Sequence, residues 1–136
     1  MAAWLYQMNH AQFSHERYRN EVWEGTQVTN WGGGEAKRRP KDVQSGDILV
    51  LFYSKTNAPD PGIYGWGVVT YFDEETVNFR PVFPSDYLKM NPIVEGEVSE
   101  IIKHIRGPVA TGTMWKIERE DLDKIRDLIS ECMGSV

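Results

Sequence analysis

The chain has 136 residues, 40% hydrophobic and 26% charged, which is enough for one core and too little for a catalytic domain joined to a second domain. No apolar run approaches the roughly 18 residues of a membrane span, and MAAWLYQMNHAQ carries no basic leader, so we expect one soluble cytoplasmic domain over residues 1–136. The formal net charge of −5 disfavours a protein that coats long nucleic acid, because many Lys and Arg are needed to neutralise phosphates.

The first part of the chain is predicted to form a strand, a helix and a long loop. Residues 3–8, AWLYQM, are short, apolar and aromatic, as is typical of a strand. Ser14 is a plausible N-cap for a helix that ends near Val22. Residues 23–36 hold four glycines and two Trp without periodicity, which predicts a loop that brings backbone and flat rings close together.

The middle of the chain is predicted to form an antiparallel meander. Residues 48–53, ILVLFY, are a continuous apolar run of strand length, which indicates a central strand covered on both faces. Residues 63–72, IYGWGVVTYF, predict a second strand in which Gly65 and Gly67 permit a bulge or a close approach. An acidic turn then leads to a third strand at residues 77–82.

The last part of the chain is predicted to contain two helices around one strand. Apolar residues at positions 98, 101, 102 and 105 have the spacing of an amphipathic helix, which should stop at Gly107. The segment GTMWKI predicts a strand, and a helix with an acidic first turn begins near Glu118. One face of that helix is formed by Leu122, Ile125, Leu128, Ile129 and Cys132.

The residue patterns do not favour catalysis. The single cysteine, Cys132, lies on a packing face, and His10, His15 and His104 have no metal-ligand spacing. Neither a phosphate-binding GxxxxGK[ST] loop nor a GxGxxG motif after a strand is present. We therefore expect a non-enzymatic domain with no catalytic residue, no metal and no cofactor.

Aromatic and basic residues are concentrated in one loop. Trp31, followed by Gly32 to Gly34, is suited to stack a flat ligand whose edge is read by main-chain groups, although a loop Trp can equally be pinned into the core. The adjacent basic cluster suits either a solvated loop or phosphate contacts. That cluster consists of Lys37, Arg38, Arg39 and Lys41. Trp66 and Trp115 lie in predicted strands and are expected in the core.

Five segments in register resemble the pattern of the EVE domain family. They are AWLYQM, NWGGG, VQSGDILVLFYS, PGIYGWGVV and TMWKIEREDLDKI, and together they span nearly the whole chain. The resemblance implies an α/β (α+β) fold of the PUA-like type, a twisted mixed β pseudo-barrel with flanking helices, related to YTH and ASCH domains. It also implies a pocket module that reads a modified base in DNA or RNA, in an extruded or short context.

Site residues follow from the resemblance position by position. The W-G loop implies Trp31 and Gly32 at the pocket mouth, and the F-Y strand end implies Tyr53 and Ser54 at its wall. Trp4 and the Gln7–Met8 end of the first strand are expected to face the same cavity. Lys37 and Arg38 are the implied phosphate contacts. The chain departs from the family pattern in carrying Gly33 and Gly34 where a branched residue is usual, so the ligand edge that is read can differ.

Two other functions fit parts of the sequence. An enzyme acting on a nucleobase-like amide, by analogy with ASCH domains, would need a charged loop residue such as Glu24, Glu35 or Lys37. A protein-interaction module would use the acidic helix within residues 118–136. The oligomeric state does not follow from the sequence.

Overall fold

The computed structural model describes residues 1–8, 29–30, 42–53, 62–73, 77–82, 93, 97–107 and 114–134. These ranges contain six strands and two helices in the order β1 Ala3–Met8, β2 Thr29–Asn30, β3 Ile48–Tyr53, β4 Gly62–Phe72, β5 Val77–Val82, α1 Glu97–Arg106, β6 Met114–Lys116 and α2 Arg119–Gly134. The helix predicted from Ser14 and most of the predicted loop of residues 23–36 lie outside the described residues.

The strands form one mixed sheet in the order β2-β5-β4-β3-β1-β6. β1 and β3 are parallel, with Leu5 opposite Val50. The other pairs are antiparallel, including the predicted meander of β3, β4 and β5. In the described part of the chain β2 and β6 do not pair, so the sheet is open there. The predicted α+β class with a mixed sheet and flanking helices is confirmed.

The two faces of the sheet carry two separate groups of buried side chains, because successive residues of a strand point to opposite faces. Six consecutive buried residues in β3 supply both groups, as expected for a central strand. The first group, here called the aromatic face, includes Trp4, Tyr6, Leu49, Leu51, Tyr53, Tyr64, Val69, Val77 and Phe79. The second, the helix face, includes Ala3, Leu5, Ile48, Val50, Phe52 and Ile63 together with residues of both helices.

The helices pack on the helix face through the predicted apolar stripes. In α1 these are Val98, Ile101 and Ile102, and in α2 they are Leu122, Ile125 and Ile129. Burial of each such side chain contributes about 1.5–3 kcal/mol. Gly107 ends α1 at a positive φ of 61° while its N–H donates to the carbonyl of Lys103, a geometry that suits glycine. Neither described helix is long and apolar enough to span a membrane.

Gly65 and Gly67, two of the three glycines of β4, lie at irregular or crowded positions, as predicted. Leu51 pairs with Gly65 and Phe52 with Ile63, so Tyr64 is the extra residue of a bulge. At Gly67 a Cβ atom would lie 2.8 Å from Cδ2 of Phe79. Glycine therefore allows β4 and β5 to pair while the Phe79 ring packs across them.

The prediction of a loop over residues 23–36 is wrong at Thr29–Asn30. These residues form β2, with Thr29 opposite Phe79 and Asn30 opposite Asn78. A two-residue strand has no periodicity of its own, since it exists through its hydrogen bonds with β5. A local pattern could not predict it.

Candidate functional site

The carboxyl ends of two parallel strands lie side by side at one end of the sheet. β1 ends at Met8 and β3 ends at Tyr53, and these two residues are register partners. β4 begins beside them, because Tyr53 also pairs with Gly62. The structure therefore places the predicted wall residue Tyr53 at a point where three strands begin or end. Ser54, which follows Tyr53, lies outside the described residues.

The Tyr53 ring is packed within the aromatic face. It is fully buried, and its centroid lies 5.0 Å from that of Tyr64 with an interplanar angle of 72°. Aromatic pairs prefer such edge-to-face contacts. Trp4 belongs to the same buried group. The structure thus brings Trp4 and Tyr53 onto one face of the sheet and buries both.

Trp4 is held in place by a buried carboxylate that the sequence analysis did not single out. The indole Nε1 of Trp4 donates to Oδ2 of Asp47 at 3.0 Å. The same carboxylate accepts from the backbone N–H groups of Ala2, at 3.0 Å, and Gln44, at 2.9 Å. Because the one polar group of Trp4 is used here, Trp4 has only its ring to offer a ligand.

The three hydrogen bonds also control the ionisation of Asp47. Burial acts to raise the pKa of this carboxyl, but the N–H groups of Ala2, Trp4 and Gln44 favour the charged form and hold the pKa below its ordinary value. Asp47 is therefore a charged structural residue, and it joins the start of β1 to the turn before β3. The SGD sequence indicates that turn, but it does not indicate a partner 43 residues away.

Gln7 lies on the opposite face of the sheet from Trp4. Its register partner is Phe52, a helix-face residue, and its Oε1 accepts a hydrogen bond from Nη1 of Arg106 at 3.0 Å. The expectation that Trp4 and Gln7 face one cavity is therefore wrong in geometry. The reason is that residues 4 and 7 differ by an odd number of positions along a strand whose side chains alternate.

The remaining predicted site residues lie outside the described residues. They are Trp31, Gly32, Ser54, Lys37 and Arg38. The strand that leads to Trp31 ends at Asn30, whose partner Asn78 pairs with Tyr71 near the last residue of β4. Tyr53, in contrast, pairs with the first residue of β4. Asn30 and Tyr53, the last described residues before Trp31 and Ser54, thus lie toward opposite ends of β4.

Arg106 is a second residue that the sequence analysis did not single out. Its guanidinium carbon lies 5.7 Å from the ring centroid of Phe52 and 5.9 Å from that of Trp115. Trp115 and Trp66 are half-buried and pack against the helix-face group, so they lie at the border of the core and not within it, where the sequence predicts them. Burial lowers the pKa of Arg106 from its ordinary value.

One histidine links the two helices. Nδ1 of His104 in α1 lies 2.7 Å from Oδ2 of Asp121 in the first turn of α2. Since a carboxylate only accepts, Nδ1 carries the proton of this bond. His10 and His15 lie outside the described residues. Within the described ranges, no three His, Cys, Asp or Glu residues are grouped closely enough to hold a metal ion.

The described strands and helices define an α+β fold, a mixed sheet with two helices packed on one face. Comparison with protein-family models finds no match, and neither does comparison with characterised proteins. The resemblance to the EVE family therefore stays a prediction at the level of the sequence.

Solved structures share this fold at low sequence identity. A hypothetical protein from Leishmania major is 15% identical with a TM-score of 0.64, over 98% of this chain and 97% of that one. A Pseudomonas putida protein is 16% identical with a TM-score of 0.65, over 94% and 99% of the two chains. Human THYN1, solved in complex with DNA containing 5-methylcytosine, is 13% identical with a TM-score of 0.61, over 95% and 98%.

Proposed function

We propose that this chain is a binding module that recognises a modified nucleobase of DNA. The observation that carries the proposal is the fold shared, over 95% of the chain, with human THYN1 in complex with DNA containing 5-methylcytosine. The sequence supports it independently, since the order of the five EVE-like segments leads to the same kind of ligand.

The charge of the chain restricts the way in which it binds. A chain with a net charge of −5 has weak affinity for the phosphates of a long duplex. Most of the binding free energy must therefore come from the base itself. Extruding a base costs a few kcal/mol, and stacking on an aromatic ring returns about 1–3 kcal/mol. An extruded or terminal base is therefore the favoured ligand.

We assign the direct contacts to the segment that follows β2. In this proposal Trp31 stacks on the base, Gly32 presents main-chain groups to its edge, and Lys37 and Arg38 hold the flanking phosphates. Ser54 forms the far wall, and the buried ring of Tyr53 packs behind it as a support. Trp4 is buried and hydrogen-bonded to Asp47, so we assign it a structural role in the sheet and no stacking contact with the ligand.

A fluorescence titration with matched oligonucleotides tests this function. One set carries cytosine, 5-methylcytosine or 5-hydroxymethylcytosine at a single position of DNA, and a second set carries the same bases in RNA. We expect saturable binding that is tightest for a modified DNA base and weakened about tenfold or more by Trp31→Ala, because one stacking contact is removed. Tighter binding of the RNA set would assign the function to RNA.

The control variant is Tyr71→Ala, which removes a half-exposed aromatic ring that has no part in the proposed pocket. It should bind like the wild type. The proposal is overturned if millimolar ligand causes no quenching, or if Trp31→Ala binds unchanged. Because Asn30 and Tyr53 lie toward opposite ends of β4, Ser54→Ala is measured separately from Trp31→Ala. If Trp31→Ala weakens binding and Ser54→Ala does not, the ligand contacts belong to the segment that carries Trp31 and not to Ser54.

A further inference from the structure

Arg106 holds a positive charge at the carboxyl ends of β1 and β3. The apolar stripe of α1 packs on the helix face, and this places the last residue of the helix over Phe52 and beside Gln7. Gln7 and Phe52 are register partners, each one residue before the end of its strand. The guanidinium therefore lies at the end of the sheet where Tyr53 also lies, on the opposite face.

No described carboxylate compensates this charge. Arg126 on α2, in contrast, has Asp123 at 3.5 Å. The Nε atom of Arg106 is buried and has no hydrogen-bond partner, and among the described residues the guanidinium donates only to the neutral amide of Gln7. Two aromatic rings stabilise a cation in part, but a half-buried charge is usually paired with an anion.

Arginine has the geometry to bind one particular class of anion. Its planar fork of N–H groups matches the oxygen atoms of a phosphate, and stacking on aromatic rings holds the fork in a fixed plane. At Arg106 the rings of Phe52 and Trp115 are placed to do this, while Gln7 fixes Nη1. We propose that Arg106, oriented by Gln7, forms a subsite for one phosphodiester group of the bound strand.

This inference rests on the proposed function, and it adds a contact outside the loop that carries Lys37 and Arg38. The test compares Arg106→Gln and Arg106→Lys with the control Arg126→Gln, which removes the same charge from an exposed position on α2. Affinity for a single-stranded oligonucleotide containing 5-methylcytosine is measured over a range of salt concentrations. Affinity for the nucleoside 5-methyldeoxycytidine, which has no phosphate, is measured in parallel.

Arg106→Gln should weaken oligonucleotide binding about tenfold and reduce the slope of log affinity against log salt by about 0.7, the value for one phosphate contact. Arg106→Lys should restore the slope but not the full affinity, because a lysine is a point charge. Nucleoside binding should not change in either variant. A slope equal to that of the wild type in Arg106→Gln overturns the subsite.

Gln7→Glu tests the same site without removing the arginine or its packing. The new carboxylate should pair with Arg106 and exclude phosphate, so we expect weaker oligonucleotide binding together with an unchanged or raised Tm. Unchanged oligonucleotide affinity in this variant contradicts the inference. A further outcome separates the two proposals. If the wild type binds methylated and unmethylated strands with equal affinity, and Arg106→Gln reduces the salt slope for both, the phosphate subsite is supported and the modified-base function is contradicted. Absence of any oligonucleotide binding by the wild type overturns both.

Discussion

Nε1 of Trp4 donates a hydrogen bond to Oδ2 of Asp47 across 3.0 Å of the protein core. This bond links the second residue of β1 to the residue immediately before β3, two strands that run parallel. Because Asp47 also accepts from the backbone of Ala2 and Gln44, one carboxylate organises the start of both strands. This junction fixes the indole ring of Trp4, which is part of the aromatic face.

Replacing Asp47 with Asn should destabilise the protein by about 2–4 kcal/mol. The amide offers one acceptor oxygen in place of two, and hydrogen bonds to a charged acceptor contribute about 1.5–3 kcal/mol. Urea unfolding monitored by circular dichroism measures the loss. Asp127→Asn, an exposed substitution of the same kind on α2, should change the free energy of unfolding by less than about 0.5 kcal/mol.

The Trp4–Asp47 bond itself can be isolated with a double-mutant cycle. Trp4→Phe removes the donor while keeping most of the ring. Combined with Asp47→Asn, it should give a coupling free energy of about 1–2 kcal/mol, since both changes remove the same bond. Strictly additive losses would mean that the bond contributes nothing to stability.

The stability supplied by Asp47 should depend on pH in a definite direction. Its pKa is lower in the folded chain than its ordinary value, so the folded state favours the charged form. The contribution is present above the ordinary carboxyl pKa of about 3.9 and is lost as the pH falls through the folded-state pKa. The difference in unfolding free energy between wild type and Asp47→Asn should therefore shrink below about pH 4. A constant difference from pH 6 to pH 3 would contradict this.

Gly67→Ala should overpack the aromatic face and cost about 1–3 kcal/mol. The added Cβ would lie 2.8 Å from the Phe79 ring and 3.3 Å from the Arg80 carbonyl oxygen. Phe79→Leu, destabilising on its own, relieves the ring contact, so the double variant should lose less than the sum of the two single losses. Thermal unfolding of the wild type, Gly67→Ala, Phe79→Leu and the double variant measures these losses of stability.

The link between His104 and Asp121 should stabilise the packing of α1 on α2. Asp121 is buried, and its partner in the described structure is the imidazole at 2.7 Å. His104→Ala should cost about 1–2 kcal/mol, because an acceptor is left without its partner. Lys103→Ala removes a neighbouring exposed residue whose pair with Glu100 is 4.0 Å long, and it should change the unfolding free energy by less than about 0.5 kcal/mol. Equal effects of the two changes would argue against the link.

Most of the regular structure could be predicted from local patterns. The β1 range, the fully buried β3 strand, the meander and both apolar stripes agree with the structure. Each depends on residues close together in the chain, where periodicity and turn residues carry the information. The two-residue β2 strand was missed because its stability comes from pairing with β5.

The candidate site was predictable only in part. Asp47 and Arg106 act through Trp4 and Gln7, at separations of 43 and 99 residues, and such pairs leave no mark on local periodicity. The assignment of Trp4 and Gln7 to one cavity came from the family resemblance, whereas strand alternation places their side chains on opposite faces of the sheet. The ligand contacts of Trp31 and Ser54 remain predictions.

The central claim is that the chain distinguishes a modified base from an unmodified one. Its most direct test is the ratio of affinities for two oligonucleotides that differ only by the methyl group of one cytosine, measured at the same salt concentration. Burying one methyl group contributes about 0.8 kcal/mol, which corresponds to a preference of about fourfold for the methylated strand. A ratio of about four or more is the result we predict, and equal affinities for the two strands would contradict the account.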